Sequence, residues 1–296
     1  MEKISVKMNI KNNQKLLDEM YDSFLQCPEA VRETKRLKIN DEMIKKYIVK
    51  INDFVQDVNY CKNCPGVKNC KKFNPLLVTR IVVKNGVVER QLLPCKRVLE
   101  QMEYEKQFYF RDFDTDKASA NLRELDKSAA RNEVFLATRD YLSDKSINWL
   151  FLTGAPNTGR SFLASAIANE AARKKKGPIS FINASSRFKE INDYSYNNKE
   201  EFDQMIAALS TCQLLIVDDF GNEFKNDFIR DGILFQILSS RSNRRLMTIF
   251  TSDFTIDEII TLYSTSKAGA IRAKQIGNIL KENCKKEINL GKISIY

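Results

Sequence analysis

The chain has 296 residues, a length that allows about two domains, with 43 % apolar and 29 % charged side chains and a formal charge of +10. It contains seven cysteines and no histidine. That zero excludes Ser-His-Asp and Cys-His catalysis, HExxH metalloproteases and His-ligated zinc or iron, so any metal must be held by thiolates or carboxylates.

No run approaches the roughly 18 apolar residues of a membrane span. The opening Met-Glu-Lys-Ile-Ser-Val-Lys carries no apolar signal core. A cytoplasmic protein without membrane contact is expected, in which clustered cysteines imply metal or redox chemistry. Residues 1–100 hold 20 Lys/Arg against 12 Asp/Glu, whereas residues 101–296 hold 28 against 26. A basic first third fits either a polyanionic partner or an ordinary solvated surface.

In chain order, helical spacing of Leu16, Leu17, Met20, Tyr21, Phe24 and Leu25 predicts a helix over 12–25, stopped by Pro28. Met43, Ile44, Tyr47, Ile48, Ile51, Phe54, Val55 and Val58 predict a second over 41–58, N-capped by Asp41. The two stripes are expected to pack on each other. Leu76–Val83 and Val87–Leu93, joined through Asn85-Gly86, read as a hairpin. A helix over 96–105 leads into a linker over 103–127. From Asn148, strands over 149–153, 179–183, 213–217 and 247–251 alternate with helices over 161–176, 199–210, 227–240, 256–263 and 267–283, and 287–290 is a last short strand. Such alternation implies a mainly parallel α/β sheet covered on both faces.

Cys61 and Cys64 form a CxxC pair, with Cys70 and Cys95 following. The hairpin can return Cys95 toward the other three, and with no histidine these four thiols are the complete set nearby. A closed four-thiolate zinc site is expected, and it is structural because no coordination position is left for water. A redox CxxC and a three-ligand site are the alternatives; no βαβ pattern flanks the CxxC. Cys27, Cys212 and Cys284 are expected in the core.

Gly154-Ala-Pro-Asn157-Thr158-Gly159-Arg160-Ser161 lies between a predicted strand and a predicted helix, the context of the phosphate loop GxxxxGK[ST]. Its N–H groups and the helix dipole suit a nucleotide phosphate, and Ser161 suits Mg²⁺. Arg160 stands where the pattern has lysine and replaces a compact ammonium by a planar fork. Leu214–Val217 followed by Asp218-Asp219 is an apolar strand ending in two acids. Asp218 suits Mg²⁺, and Asp219 suits orienting a water. The expected class is a P-loop NTPase binding ATP.

These motifs together resemble the DnaI-type bacterial helicase loaders, relatives of DnaC. The matching residues are Cys61-x-x-Cys64-Pro-Gly-x-x-x-Cys70 and Pro94-Cys95 in the first part. In the second they are Leu152-Thr-Gly154 through Ser161, Ala166–Glu170, Asp218–Glu223 and Phe250–Phe254. The resemblance covers the chain from about residue 40. It implies an AAA+ ATPase domain over 128–296 that binds ATP, Mg²⁺ and single-stranded DNA. It implies a helical and zinc-ribbon-like domain over 1–102 that docks on the hexameric replicative helicase, with self-association there. The pattern has asparagine where this chain has Asp253, a sensor position, and two arginines where it has Gln275 and Ile279. Arg272 lies one turn from Gln275, and Arg241, Arg244 and Arg245 are candidate trans or DNA contacts. A non-hydrolysing helicase adaptor, a transposon helper ATPase and a nucleic-acid-binding zinc protein are the competing readings.

Overall fold

A computed structural model describes residues 10–113, 116–122, 128–145 and 148–291. Two compact units are distinguished, Met1–Met102 and Glu103–Tyr296.

The first unit begins with helices α1 (Ile10–Leu25), α2 (Pro28–Arg36), α3 (Asp41–Lys46) and α4 (Ile48–Lys62). Pro28 does not merely stop α1. It opens α2 at the first turn, where its missing N–H costs nothing. The helix expected over 41–58 is broken at Tyr47 into α3 and α4, and Asn40 rather than Asp41 is the cap, accepting a bond from the Met43 N–H at 2.9 Å. The stripes do pack together: Phe24, Ile44, Ile48, Ile51 and Val55 are buried in one cluster. Leu16 and Leu25 are not part of it and are exposed. Strands β1 (Leu77–Lys84) and β2 (Val87–Pro94) form an antiparallel hairpin that adds Ile81 and Val88 to this core. Its two-residue turn has Asn85 and Gly86 at φ 50° and 78°, the conformation an Asn-Gly hairpin demands. Helix α5 (Lys96–Glu105) follows and buries no residue.

The second unit starts within the stretch expected as a linker. Phe108–Arg111 forms β3, an edge strand of the sheet, so that expectation is corrected; residues 114–115 and 123–127 of it lie outside the described residues. Helix α6 (Ala129–Leu142), capped by Ser128, was not anticipated. Then come β4 (Trp149–Thr153), α7 (Arg160–Arg173), β5 (Ile179–Asn183), α8 (Ala184–Asn197), α9 (Lys199–Thr211) and β6 (Leu214–Asp218). A π-helical stretch (Ile229–Leu234), α10 (Phe235–Arg244), β7 (Met247–Ser252), α11 (Ile256–Tyr263), α12 (Lys267–Asn283) and β8 (Cys284–Asn289) complete it. Helix α8 is rich in Ser and Asn and weak in helix propensity; burial of Phe188 and Ile191 fixes it instead.

The sheet order is β3-β5-β6-β7-β4-β8, with every pairing parallel. Alternate residues of one strand feed two cores. Trp149, Phe151, Leu215 and Val217 enter the cluster shared with α8 to α12, while Leu150, Leu152, Leu214 and Ile216 enter the one shared with α6 and α7. Burial on both faces is why these strands read as continuous apolar runs instead of alternating ones. Cys27, Cys212 and Cys284 are buried as expected. Among the described residues no helix is long and apolar enough to cross a membrane.

Candidate nucleotide site and thiol pocket

The carboxyl ends of β4, β5, β6 and β7 are aligned: Asn183 lies beside Asp218, and Thr153 beside Ser252. In open parallel sheets this edge is where ligands bind. The loop from β4 to α7 carries Gly154, Asn157 and Gly159 at φ 149°, 63° and 81°. A side chain at Gly154 would stand 3.0 Å from Thr158 Oγ1 and 3.2 Å from the Gly291 carbonyl, so only glycine fits. Asparagine is among the few other residues that tolerate the left-handed region. Buried Thr158 braces the loop by donating its hydroxyl to the Ala155 carbonyl at 2.9 Å, and its own carbonyl accepts from Arg131 at 3.1 Å. The first N–H groups of α7, from Arg160 on, lack acceptors within the helix and sit at its positive dipole end. The main chain here fits a phosphate.

Asp218 and Asp219 end β6 at the same edge. Asp218 is buried, and Thr251 Oγ1 donates to it at 2.5 Å. Burial pushes the Asp218 carboxyl up, and hydrogen bonds from Thr251 and Ser161 oppose that shift. Ser161 and Asp218 thus meet, a hydroxyl and a carboxylate of the hard-oxygen kind that Mg²⁺ takes. Asp219 adopts φ 58°. Its N–H donates to the same Thr251 hydroxyl at 3.0 Å, and its carboxylate accepts from Asn183 at 3.3 Å. Thr251 and Asn183 were missed by sequence reasoning. Thr251 lies within the Phe250–Phe254 motif but was given no role there, no motif marks Asn183, and only the strand order brings the two to Asp218 and Asp219.

Arg160 departs from what a phosphate ligand needs. Its guanidinium is buried and points back into the protein, donating to the Gly154 carbonyl at 2.6 Å, to the Ser252 carbonyl and to the Asp253 carboxylate. Asp253, just past β7, also accepts from Asn222 at 2.9 Å. Burial works to raise the Asp253 carboxyl, but the bonds from Asn222 and Arg160 outweigh it and hold the group below the usual carboxylate range. The site fits a nucleotide in its main chain, hydroxyl and acids. It does not fit in the basic group that should face the phosphates.

Of the other candidate arginines, Arg241 is fully buried and makes neither a trans nor a DNA contact. It donates to the Leu209 and Cys212 carbonyls at 2.8 Å and to Thr248 Oγ1 at 2.9 Å, clamping α9 and β7 to α10. Arg244 and Arg245 are exposed. Arg272 lies 3.9 Å over the Phe235 ring and 3.5 Å from Asp231, and donates to Gln275 at 2.9 Å. Ile279 packs against the core.

In the first unit, Cys61, Cys64, Cys70 and Cys95 line one pocket of about 330 Å³ with Tyr60, Val67 and Leu76. All four are unpaired. The closed four-thiolate zinc centre is not shown: among the described residues no group of three or more Cys, Asp or Glu side chains is arranged to hold a metal ion. Burial pushes the Cys61 thiol up, whereas backbone N–H bonds from Leu76 and Lys72 pull the Cys70 thiol down.

The family described as IstB-like ATP binding protein matches residues 79–270. The replicative helicase loader DnaI of Bacillus subtilis (strain 168) is 25 % identical over 271 residues, covering 86 % of this chain and 85 % of that one. The replicative helicase loader DnaC of Escherichia coli (strain K12) is 26 % identical over 119 residues, covering 40 % of this chain and 48 % of its own. A crystal structure of DnaI shares the fold with a TM-score of 0.56 at 21 % identity, covering 63 % of this chain and 98 % of that one.

Proposed function

Because the chain belongs to the IstB-like ATP-binding family, we propose that it is a cytoplasmic loader of the replicative DNA helicase, acting in primosome assembly and in the initiation and restart of DNA replication. The observation that carries this reading is the extent of the likeness to DnaI, which is long enough to run through both compact units. A shared ATPase core alone would match only the second.

Residues 128–296 act as an AAA+ ATPase-like domain in this reading. The N–H groups of the loop from Gly154 through Asn157, Thr158 and Gly159 to Ser161 receive the ATP phosphates. Ser161 and Asp218 hold Mg²⁺, which when bound neutralises charge on the phosphate oxygens. Asp219 orients a water, and Asp253 stands at the sensor position. Residues 1–102 dock on the hexameric helicase and hold Zn²⁺ through Cys61, Cys64, Cys70 and Cys95, a set supported by their lining one pocket. Single-stranded DNA and further copies of the loader complete the assembly.

The test is helicase transfer. Full-length protein is mixed with the hexameric replicative helicase of its own cell and circular single-stranded DNA, and DNA-bound helicase is measured. The expected result is a stable loader–helicase complex and more helicase on DNA than without the loader; no complex overturns the reading. A second reading, a loader that works as a non-hydrolysing adaptor, is favoured by the commitment of Arg160 to Asp253. Under it, Asp219→Asn leaves loading intact; under ATP-driven loading, the same variant stops it while helicase binding persists.

A further inference from the structure

Arg160, which stands where the phosphate-loop pattern has lysine, forms an ion pair with Asp253, 93 residues further on. We infer that Asp253 withholds Arg160 from nucleotide phosphate and so sets the affinity of the loop. This rests on the nucleotide-binding part of the function proposed above.

The geometry is that of a strap. One guanidinium nitrogen bridges the Gly154 carbonyl, in the loop itself, and the Ser252 carbonyl, at the end of β7. The other takes the Asp253 carboxylate, whose second oxygen is held by Asn222 from the segment after β6. A lysine has one ammonium and cannot span these three acceptors as a planar fork does. The guanidinium is also the better shielded partner, with its side chain 8 % exposed against 32 % for Asp253. Removing the charge of either partner in a pair that is largely buried on one side leaves the other uncompensated, which is costly.

The consequence is competition. A phosphate entering the loop has two outcomes. It can leave Arg160 on Asp253 and be held by main-chain N–H groups without the nearest positive side chain. Alternatively, it can take the guanidinium and face a carboxylate that Asn222 fixes at the exit of β7, a like charge across the cleft. Either way affinity is lower than for a loop with lysine and a neutral amide. Asp253 is therefore a positioning residue acting through Arg160.

The test measures MgATP binding by calorimetry, together with thermal unfolding without nucleotide, on full-length wild type, Asp253→Asn, Arg160→Lys and the double variant. Asp253→Asn is expected to tighten MgATP by about tenfold or more, while lowering the nucleotide-free unfolding midpoint. The double variant is expected to bind at least as tightly. Arg160→Lys alone is expected to gain less than the double variant, because an ammonium still pairs with Asp253, and that shortfall is the coupling a cycle measures. If Asp253→Asn binds MgATP no better than wild type, or more weakly, the inference is overturned. Absence of binding by a folded double variant overturns it equally. Should Asp253→Asn fail to fold, the double variant against Arg160→Lys carries the comparison. Helicase capture by the wild-type protein is scored separately, so failure of the loader reading leaves the nucleotide result standing.

Discussion

The two loops to which chemistry is assigned in the proposed function are held in opposite ways. The phosphate loop before α7 is fastened on every side. Thr158 bonds back into it, Arg131 reaches its carbonyl, and Arg160 straps it to β7. The cysteine-bearing stretch over 61–76 contains no buried residue at all. Its few ties include the Lys71 N–H to Tyr60 at 2.9 Å and Lys72 to Asp57 at 3.0 Å. The first loop is organised by the protein before any ligand arrives. The second has no buried residue and is held by a few polar ties, such as those of Lys71 and Lys72.

The largest effect expected from this contrast comes from removing metal. Zinc–thiolate binding in small domains contributes about 10 kcal/mol or more, so a strong chelator should make the 61–95 segment protease-sensitive while the second unit stays intact. Purified protein should carry one zinc per chain. Less than about half an equivalent in folded protein would count against the site.

Next in size is Phe151→Ala. Phe151 is fully buried and packs on Phe220 and Phe250, so the loss should be about 3–5 kcal/mol, read from denaturant unfolding of the second unit. The same variant should leave the protease pattern of residues 1–102 unchanged.

Thr251→Val keeps shape but takes one hydroxyl from both Asp218 and the Asp219 N–H. Unpartnered groups of this kind cost about 1–3 kcal/mol each at most. The unfolding midpoint should fall, and the spacing of the two acids should loosen enough to weaken Mg²⁺-dependent nucleotide binding. Ser128→Ala, which removes the cap of α6, is the smallest, at about 1 kcal/mol in an unfolding titration.

Much of the candidate site was legible because its parts are local. Asn157 and Gly159 signal a left-handed loop, and the apolar run Leu214–Val217 ending in two acids signals a buried strand. What was not legible depends on partners far away in the chain. Helix α8 is a poor helix by composition and forms because Phe188 and Ile191 find a core. Strand β3 is only Phe108–Arg111, too short to announce itself, and exists because β5 offers an edge. Arg241 looked like one of three surface arginines, and only the packing of α9 against α10 shows it to be an interior clamp.

The sequence by itself determined the class of the protein: a parallel α/β nucleotide-binding fold preceded by a helical, cysteine-bearing part. Local spacing is enough for that, since period and turn chemistry report which faces are buried and where the backbone must bend. The tertiary structure decided how the two departures from the family pattern relate. Strand β7 lies between β4 and β6, which sets Asp253 beside the loop that Arg160 closes. The order of parallel strands is fixed by crossovers of whole helices and leaves no mark in local periodicity. Arg160 and Asp253 therefore look like independent changes until the sheet is assembled.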